Sequence, residues 1–591
     1  MSPTNSREKY GEPPKAVDLS HHLSEVSKAR SLSPLKGYQK YFNRPGMIML
    51  AGGLPDPAYF PIANLSADTL VQDSFDLSAP PALPQPSSSP FSWLWNLFSS
   101  SSQVPRPTER TAHISIPKYP PGANPAPRPP PGSPIALAQA LQYGAATGIP
   151  QLSAFLREFT EKVFQPAYSD WETLVHVGNT DGWSRAVQTL CNPHEFILAE
   201  EFTYPSALAS AHPFDVRAAA VKIDGQGMRS DDLRSVLEGW DEEARGGKRP
   251  HVMYTVPVGQ NPTGATMGAK RKKEIYDICV EFDVIIVEDD PYYFLQEGAY
   301  VPKDRRSSGA VGGQKEEDEE AFLARLAPSF IKFDYQGRVI RLDSFSKTIA
   351  PGSRLGWFTC SPLFAERLER QGETSTQGPC GFSQALVAQL LTQQWGYKGF
   401  IRWLRGLGAQ YTFRRDYMVD LLHEHFDMQP TTTVSSGAYG WGGEVYVARA
   451  KAKALPKGRG GNGFEKSQIG EKQDGNGKGK ILFSLIPPTS GMFVWLNINF
   501  EAHPSFKSTS SAQDPPAQTL EEKFWLALAE AGLLVAAGLL FSAERDADGS
   551  PSSGSDANVG HLRMSFSFGE HEIMKKGIII LEKVLREFFE E

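Results

Sequence analysis

Short, largely apolar runs recur through the middle of the chain, and each gives way to small or polar residues. Thr173–Val177, Glu195–Ala199, Val252–Val256, Val284–Val287 and Val339–Leu342 all read this way, and each predicts a strand. Val284–Val287 is continuously apolar, as expected of a strand covered on both faces in a parallel sheet. Between the runs the period changes from strand to helix. Leu152, Phe155, Leu156, Phe159, Val163 and Phe164 keep the spacing of one buried helical face. Trp183, Val187 and Leu190 form a second stripe, and Lys270–Phe282 predicts a further helix. Repeated strand–loop–helix units point to an α/β fold, a large and mostly parallel sheet with helices on both faces. In such sheets ligands bind beyond the carboxyl ends of the strands. Past Gln393 the pattern differs: helices over Arg402–His425, Leu520–Gly532 and Glu570–Phe589, strands over Ser490–Trp495 and Val559–Phe568. That half reads as a smaller α+β domain.

Segments of another composition interrupt this pattern. Residues 76–134 are saturated with proline and serine, with too little apolar area to offset ordering, so a disordered insertion is expected. Inside it, Phe91–Phe98 is an apolar island that packs locally or has no readable role, with contact to a membrane or a partner as the alternative. Residues 302–328 predict a charged surface excursion, and 440–480, 505–518 and 543–557 predict low-complexity inserts. The expected organisation is an N-terminal arm and substrate loop (1–75), then the insertion 76–134. A large domain over 135–392 and a small domain over 393–591 follow.

Composition narrows the function classes. At 591 residues the chain is too long for one compact core. A net charge of −7 leaves no basic footprint for nucleic acid. Cys191, Cys279, Cys360 and Cys380 show neither CxxC pairing nor metal-ligand spacing, so reduced thiols and no metal are expected. Met1–Arg30 lacks the apolar core of a secretory signal. The longest apolar run, Ala531–Phe541, is far short of the ~20 residues that span a bilayer. A cytoplasmic protein with no membrane contact is expected.

The candidate chemistry lies at the predicted strand ends. After Val339–Leu342 come Ser344, Ser346, Lys347 and, seven positions on, Arg354. A lysine near a buried strand end has its pKa depressed by desolvation and by a neighbouring cation, which suits attack on a carbonyl to form a Schiff base. Taken alone it is equally a solvated lysine in a polar loop. Gly178-Asn179-Thr180 joins a strand to a helix N-terminus, a ready anion site. If the ligand is pyridoxal phosphate, every one of these residues has a reason. Lys347 holds the aldehyde and moves the α-proton, and Asp290 keeps the pyridine nitrogen protonated. Tyr293 and Asn261 reach the ring's phenolic oxygen, and Tyr204 stacks on its face. Gly178, Asn179, Thr180, Ser344, Ser346 and Arg354 gather the phosphate, and Arg563 clamps a substrate carboxylate. Singly, Asp290 reads as a strand-end acid and Arg563 as a salt-bridge arginine. The joint pattern favours the site.

The set GGLPDPAYFP, LQYGAATGIPQL, VGNTDGW, QNPTG, VEDDPYYFLQ, DSFSKTIAPGSRLGW and HLRMSFSF resembles the class I aminotransferases of fold type I. More narrowly it resembles the fungal aromatic amino acid and 2-aminoadipate aminotransferases, near the kynurenine aminotransferases. The resemblance covers about residues 15–75, 135–300, 330–435 and 485–590. It implies the fold of the pyridoxal-phosphate-dependent transferases and a homodimer with active sites at the subunit interface. By it, Tyr143 reaches the partner's site, and Gly53, Leu54, Asn261 and Arg563 bind substrate. The implied reaction is ping-pong transfer between an aromatic amino acid and a 2-oxo acid such as 2-oxoglutarate. Its range extends to 2-aminoadipate, kynurenine or methionine. Asn179-Thr180 departs from the Ser-Gln type pair of many relatives while keeping hydroxyl and amide chemistry. Two other functions stand as alternatives. β-Elimination or decarboxylation on the same cofactor shares Lys347 and Arg563. A transcription regulator with a like domain needs a basic DNA-binding module of roughly 70 residues upstream, and only 51 residues, not a basic segment, precede the Gly52-Gly53 loop.

Overall fold

The computed structural model describes residues 12–31, 41, 44, 48, 53–77, 110–122, 129–306, 318–431, 445–451, 479–506, 519–545 and 558–590. In chain order the first elements are α1 (Glu25–Ala29), β1 (Asn64–Leu70), β2 (Thr111–Pro117), α2 (Pro150–Val163), β3 (Glu172–His176) and α3 (Asn179–Leu190). Then come β4 (Phe196–Glu200), β5 (Arg217–Val221), β6 (Val252–Thr255), α4 (Ala269–Glu281), β7 (Ile285–Asp289), β8 (Val339–Ser344) and β9 (Gly356–Cys360). The last are β10 (Phe426–Thr431), β11 (Val445–Ala450), β12 (Ile481–Leu485), β13 (Phe493–Asn499), α5 (Leu520–Glu530), β14 (Ala536–Ala537), β15 (Val559–Ser565) and α6 (His571–Glu590). They form two compact units.

The first unit comprises Met1–Pro193, Cys279–Leu295 and Ser307–Phe413. Its strands lie in the order β3-β9-β8-β7. β7 and β8 are parallel, whereas β9 is antiparallel to both β8 and β3. The carboxyl ends of β3, β7 and β8 therefore share one edge with the start of β9. Gly356 stands opposite both His176 and Ser344, and Leu342 opposite Asp289. Helices cover both faces. On one, a Cβ at Gly182 of α3 would touch the Leu342 and His176 side chains. On the other, Phe159 of α2 meets Trp357 edge-on, with centroids 6.3 Å apart. α2 starts with Pro150, whose fixed φ suits a first helical position. It buries Leu152, Phe155, Leu156 and Phe159, each worth about 1.5–3 kcal/mol. The arm 12–31 is laid on this unit: Ser24 caps α1 and donates its hydroxyl to Gln188 O at 2.7 Å.

The second unit comprises His194–Ile278, Gln296–Arg306 and Arg414–Glu591. Three strands run parallel in the order β6-β4-β5, with β4 and β6 fully buried and β5 partly exposed. A six-stranded sheet follows the order β10-β11-β12-β13-β15-β14, with every pairing antiparallel. α5 opens on a capping box between Thr519 and Glu522. α6 turns Met574, Ile578, Leu581, Leu585 and Phe588 inward.

The strands and helices predicted from periodicity are present to within a few residues, and the chain is α/β. Three expectations change. The span 76–134 includes a real strand: β2 pairs with β1 over seven positions from Asn64↔Pro117 to Leu70↔Thr111. Its alternation of Ala112, Ile114 and Ile116 with polar residues is a half-buried strand signal that surrounding prolines and serines obscure. Likewise β11 lies within 440–480, while the expected excursion 302–328 carries the helix Glu319–Arg325. The two units also interleave along the chain, so the break expected at 392/393 does not match the observed one at 413/414. Phe91–Phe98 and most of the expected inserts lie outside the described residues.

Candidate active site

In the first unit the shared strand edge carries Gly178, Asp289, Ser344, Ser346 and Lys347, with Arg354 just ahead of β9. Gly178 has φ 107°, which favours glycine. A Cβ there would run into the Arg354 guanidinium, so the absent side chain is the space that Arg354 uses. Arg354 is itself left-handed at φ 43°, a conformation that costs on the order of 1–3 kcal/mol and marks a functional constraint. The first-turn amides of Asn179, Thr180 and Asp181 lack intrahelical acceptors, and the dipole of α3 adds positive potential. Ser344 Oγ donates to Ser346 Oγ at 2.7 Å. Guanidinium, helix N-terminus and paired hydroxyls together make an anion site. His176 supports it from the strand: its Nδ1 accepts the Gly178 N–H at 3.1 Å. Burial, with Arg185 and Arg354 close by, pushes the His176 pKa down to about 3. The ring is neutral with its proton on Nε2. Lys347 is half-buried in the turn after β8. That turn is pinned by the Ile349 and Ala350 amides on Phe345 O (2.8 and 3.1 Å) and by Trp403 Nε1 donating to Thr348 O at 2.7 Å.

Asp289 ends β7 and Asp290 follows it, and the alternation of extended backbone turns them to opposite faces. Asp289 faces α3: its Oδ1 accepts from Asn179 Nδ2 at 2.6 Å, and the same nitrogen donates to Leu342 O at 3.1 Å. Asp290 faces α2. There Arg341 donates to Asp290 Oδ2 at 2.9 Å and to both oxygens of Asp343 (2.7 and 2.9 Å), with Glu288 at 3.3 Å. The guanidinium lies 3.9 Å over the Phe164 ring and 4.8 Å over Tyr293. Burial pushes the Asp343 carboxyl up to about 7 against the pull of Arg341. Tyr293 packs edge-on to Phe164 and Phe294 at 5.0 Å each, and burial pushes its hydroxyl pKa up. Here the sequence reading needs correction. It sends Asp290 and Tyr293 to the ligand's ring, but both belong to this buried charge cluster. Asp289 is the carboxylate that joins Asn179 on the α3 face.

Gly53 and Leu54 lie on the surface of the first unit, with nothing within 4 Å of a Cβ built at Gly53. Gln142 Nε2 donates to Pro55 O at 2.8 Å, which sets that loop beside the exposed Tyr143.

In the second unit β6 runs into the loop of Gln260-Asn261-Pro262-Thr263-Gly264. Gln260 knits it: Oε1 accepts from Thr263 N and Oγ1 (2.9 and 2.6 Å), and Nε2 donates to Phe202 O at 2.6 Å. Gly259, at φ 59°, lets the loop press on the Gly491 backbone, where a Cβ would come within 2.6 Å. The Asn261–Pro262 bond is cis. Asn261 is buried, and its Oδ1 accepts from Arg563 Nη1 at 2.7 Å. The Arg563 guanidinium also lies 4.2 Å over Phe493 and 4.8 Å over Phe541. Tyr204 precedes the helix Pro205–Ala211 in this unit and is half-buried. Thus Asn261 and Arg563, 302 positions apart, meet directly.

Asp289, His176 and Arg341 were not singled out by the motifs. Arg341 had a signal: a lone charge within Val339-Ile340-Arg341-Leu342 requires buried partners. His176 and Asp289 had none, since only register reveals what faces α3.

Residues 137–442 match the family model described as aminotransferase class I and II. An aromatic amino acid aminotransferase of Schizosaccharomyces pombe is 37% identical over 404 residues, covering 68% of this chain and 76% of the relative. The L-tyrosine:2-oxoglutarate aminotransferase of Tapinella panuoides is 30% identical over 98% of this chain and 97% of its own. Among solved structures, aminotransferase Aro8 of Candida albicans superposes with a TM-score of 0.73 at 32% identity, covering 98% of this chain and 100% of that one.

Proposed function

Since the chain belongs to the class I and II aminotransferases, we propose that it carries pyridoxal 5′-phosphate and transfers the amino group of an aromatic amino acid to 2-oxoglutarate. One observation carries this reading. Lys347, Asp289 and the anion site of Gly178 and Arg354 stand on a single strand edge. Their chemistry suits that cofactor: a dianion site at a helix N-terminus, a buried carboxylate for a ring nitrogen, and an amine for an aldehyde. When bound, the cofactor supplies a carbonyl for the substrate nitrogen and a ring that draws charge from the α-carbon.

The chain's own residues do the rest. Arg354, the first amides of α3, Ser344 and Ser346 hold the phosphate. Asp289 presents an anion to the ring nitrogen, steadied by Asn179, and low surrounding dielectric strengthens that pairing. Lys347 Nζ takes the proton from the substrate α-carbon and returns it. Arg563 grips the α-carboxylate through its planar fork, with Asn261 fixing one arm. Tyr204 offers a flat face to the ring, and Gly53, Leu54 and Tyr143 serve the substrate side chain in a homodimer. The names of the Schizosaccharomyces and Tapinella relatives support the aromatic class. No helix among the described residues is long and apolar enough to cross a membrane, and a cytoplasmic site of action fits that.

The test is a panel of amino donors with 2-oxoglutarate, ranked by kcat/KM. Phenylalanine, tyrosine and tryptophan are expected to lead. Preference for 2-aminoadipate or kynurenine overturns the aromatic reading, and absence of transamination with every donor overturns the reaction.

A further inference from the structure

Away from the strand edge, three metal-ligating groups of the first unit meet on the surface. His21 Nε2 lies 2.7 Å from Asp283 Oδ2, and His22 Nε2 lies 3.0 Å from Asp283 Oδ1. The three ligand atoms fall within 4.8 Å of one another. A tetrahedral ion with bonds near 2.0–2.1 Å keeps its ligand atoms ~3.3 Å apart, so small side-chain shifts convert this cluster into a coordination shell.

Three features set it apart from an ordinary surface ion pair. His21 and His22 are neighbours in the short 3-10 turn Ser20–His22, where successive side chains diverge. Yet both turn Nε2 to the same carboxylate, their rings 4.2 Å apart. Asp283 is left-handed at φ 58°, a conformation disfavoured for a residue with a Cβ. It also lies just past the carboxyl end of α4, where the helix dipole disfavours an anion. A carboxylate kept where the helix dipole opposes it gains from nearby positive charge. Arg338 supplies part, with Nη1 at 3.4 Å from Oδ1. Its guanidinium is committed elsewhere, to Gln336 Oε1 (2.6 and 2.8 Å) and Val284 O (3.0 Å), and leaves Oδ2 open.

We infer that His21, His22 and Asp283 form a site for a borderline divalent transition metal such as Zn²⁺, clipping the N-terminal arm to the body of the first unit. Two imidazoles and one carboxylate suit Zn²⁺, Co²⁺ or Ni²⁺ rather than Ca²⁺ or Mg²⁺, which take all-oxygen shells. The exposed side of the cluster leaves room for water as a further ligand. Its clip joins positions 261 apart in sequence. The inference does not depend on the transamination reading.

The experiment uses the full-length, cofactor-loaded protein stripped of metal by a chelator. Zn²⁺ is titrated calorimetrically into wild type, His21→Ala and Asp283→Asn, and Co²⁺ is followed by its visible d–d bands. The imidazole of His21 is largely exposed, so its loss leaves the fold intact. Wild type is expected to bind one equivalent. Each variant is expected to lose at least roughly tenfold in affinity, since a ligand outranks the outer-shell partners whose loss costs 10–100-fold. Zn²⁺ should also raise Tm in wild type alone, as binding to the folded state requires. Equal affinity in all three proteins, or no stoichiometric binding to wild type, overturns the inference.

Discussion

At the scale of single residues the site turns on which of two neighbouring aspartates faces the cofactor. Asp289 stands with Asn179 and Asp290 with Arg341, so their conservative variants separate chemistry from packing. Asp289→Asn is expected to lower kcat by about 100-fold, the scale of removing one oriented electrostatic contact, with Tm nearly unchanged. Asp290→Asn is expected to keep kcat within a few fold and to cost on the order of 1–3 kcal/mol of stability. Arg341 keeps Asp343 and Glu288 in that variant. Steady-state kinetics and urea unfolding of both variants decide, and activity that tracks position 290 returns the role to Asp290. Lys347→Ala should abolish both turnover and the visible absorbance of the bound cofactor. Arg563→Ala should leave that absorbance intact. It should lower kcat/KM for every amino acid by roughly 10- to 150-fold, the equivalent of about 1.5–3 kcal/mol for hydrogen bonds to a charged group.

Among the elements, the turn from β3 into α3 does most to define the site. It needs a positive φ and an absent side chain at one residue, because the Arg354 guanidinium occupies that volume. Gly178→Ala is therefore strained twice, by conformation and by collision. Displacing Arg354 removes the strongest partner proposed for the phosphate while leaving Lys347 and Asp289 in place. Cofactor affinity should fall at least about tenfold, read from absorbance titration with pyridoxal phosphate, before any change in kcat at saturation. Unchanged affinity would mean that the helix amides alone hold the phosphate.

For the molecule as a whole, buried histidine ties stability to pH. His176 is neutral in the folded state, with a pKa near 3 against an ordinary value of 6.5. The unfolded chain binds the proton first, so the contribution of His176 is complete above pH 6.5 and is lost as pH falls toward 3. At pH 5 that loss is about 2 kcal/mol, from 1.36 kcal/mol per unit. His176→Asn removes the linkage. Its stability relative to wild type should improve by about that amount between pH 7 and pH 5, measured by urea unfolding at each. A difference that does not vary with pH would place a charged imidazole in the folded protein.

The sequence by itself determined the element types, the α/β class and the cofactor-class motifs. Periodicity, glycine turns and a lysine after a buried strand are local facts, carried by residues a few positions apart. Lys347, Arg354, Gly178, Asn261 and Arg563 could be singled out as candidates for that reason. Only the tertiary structure decided that Asp289 rather than Asp290 faces α3, that Arg341 gathers three carboxylates, and that 111–117 pairs with 64–70. It alone brought His21 and His22 to Asp283. Each of these is a matter of face or register between segments distant in sequence. A one-residue shift along a strand reverses the face without altering composition or pattern, so only the folded arrangement records it.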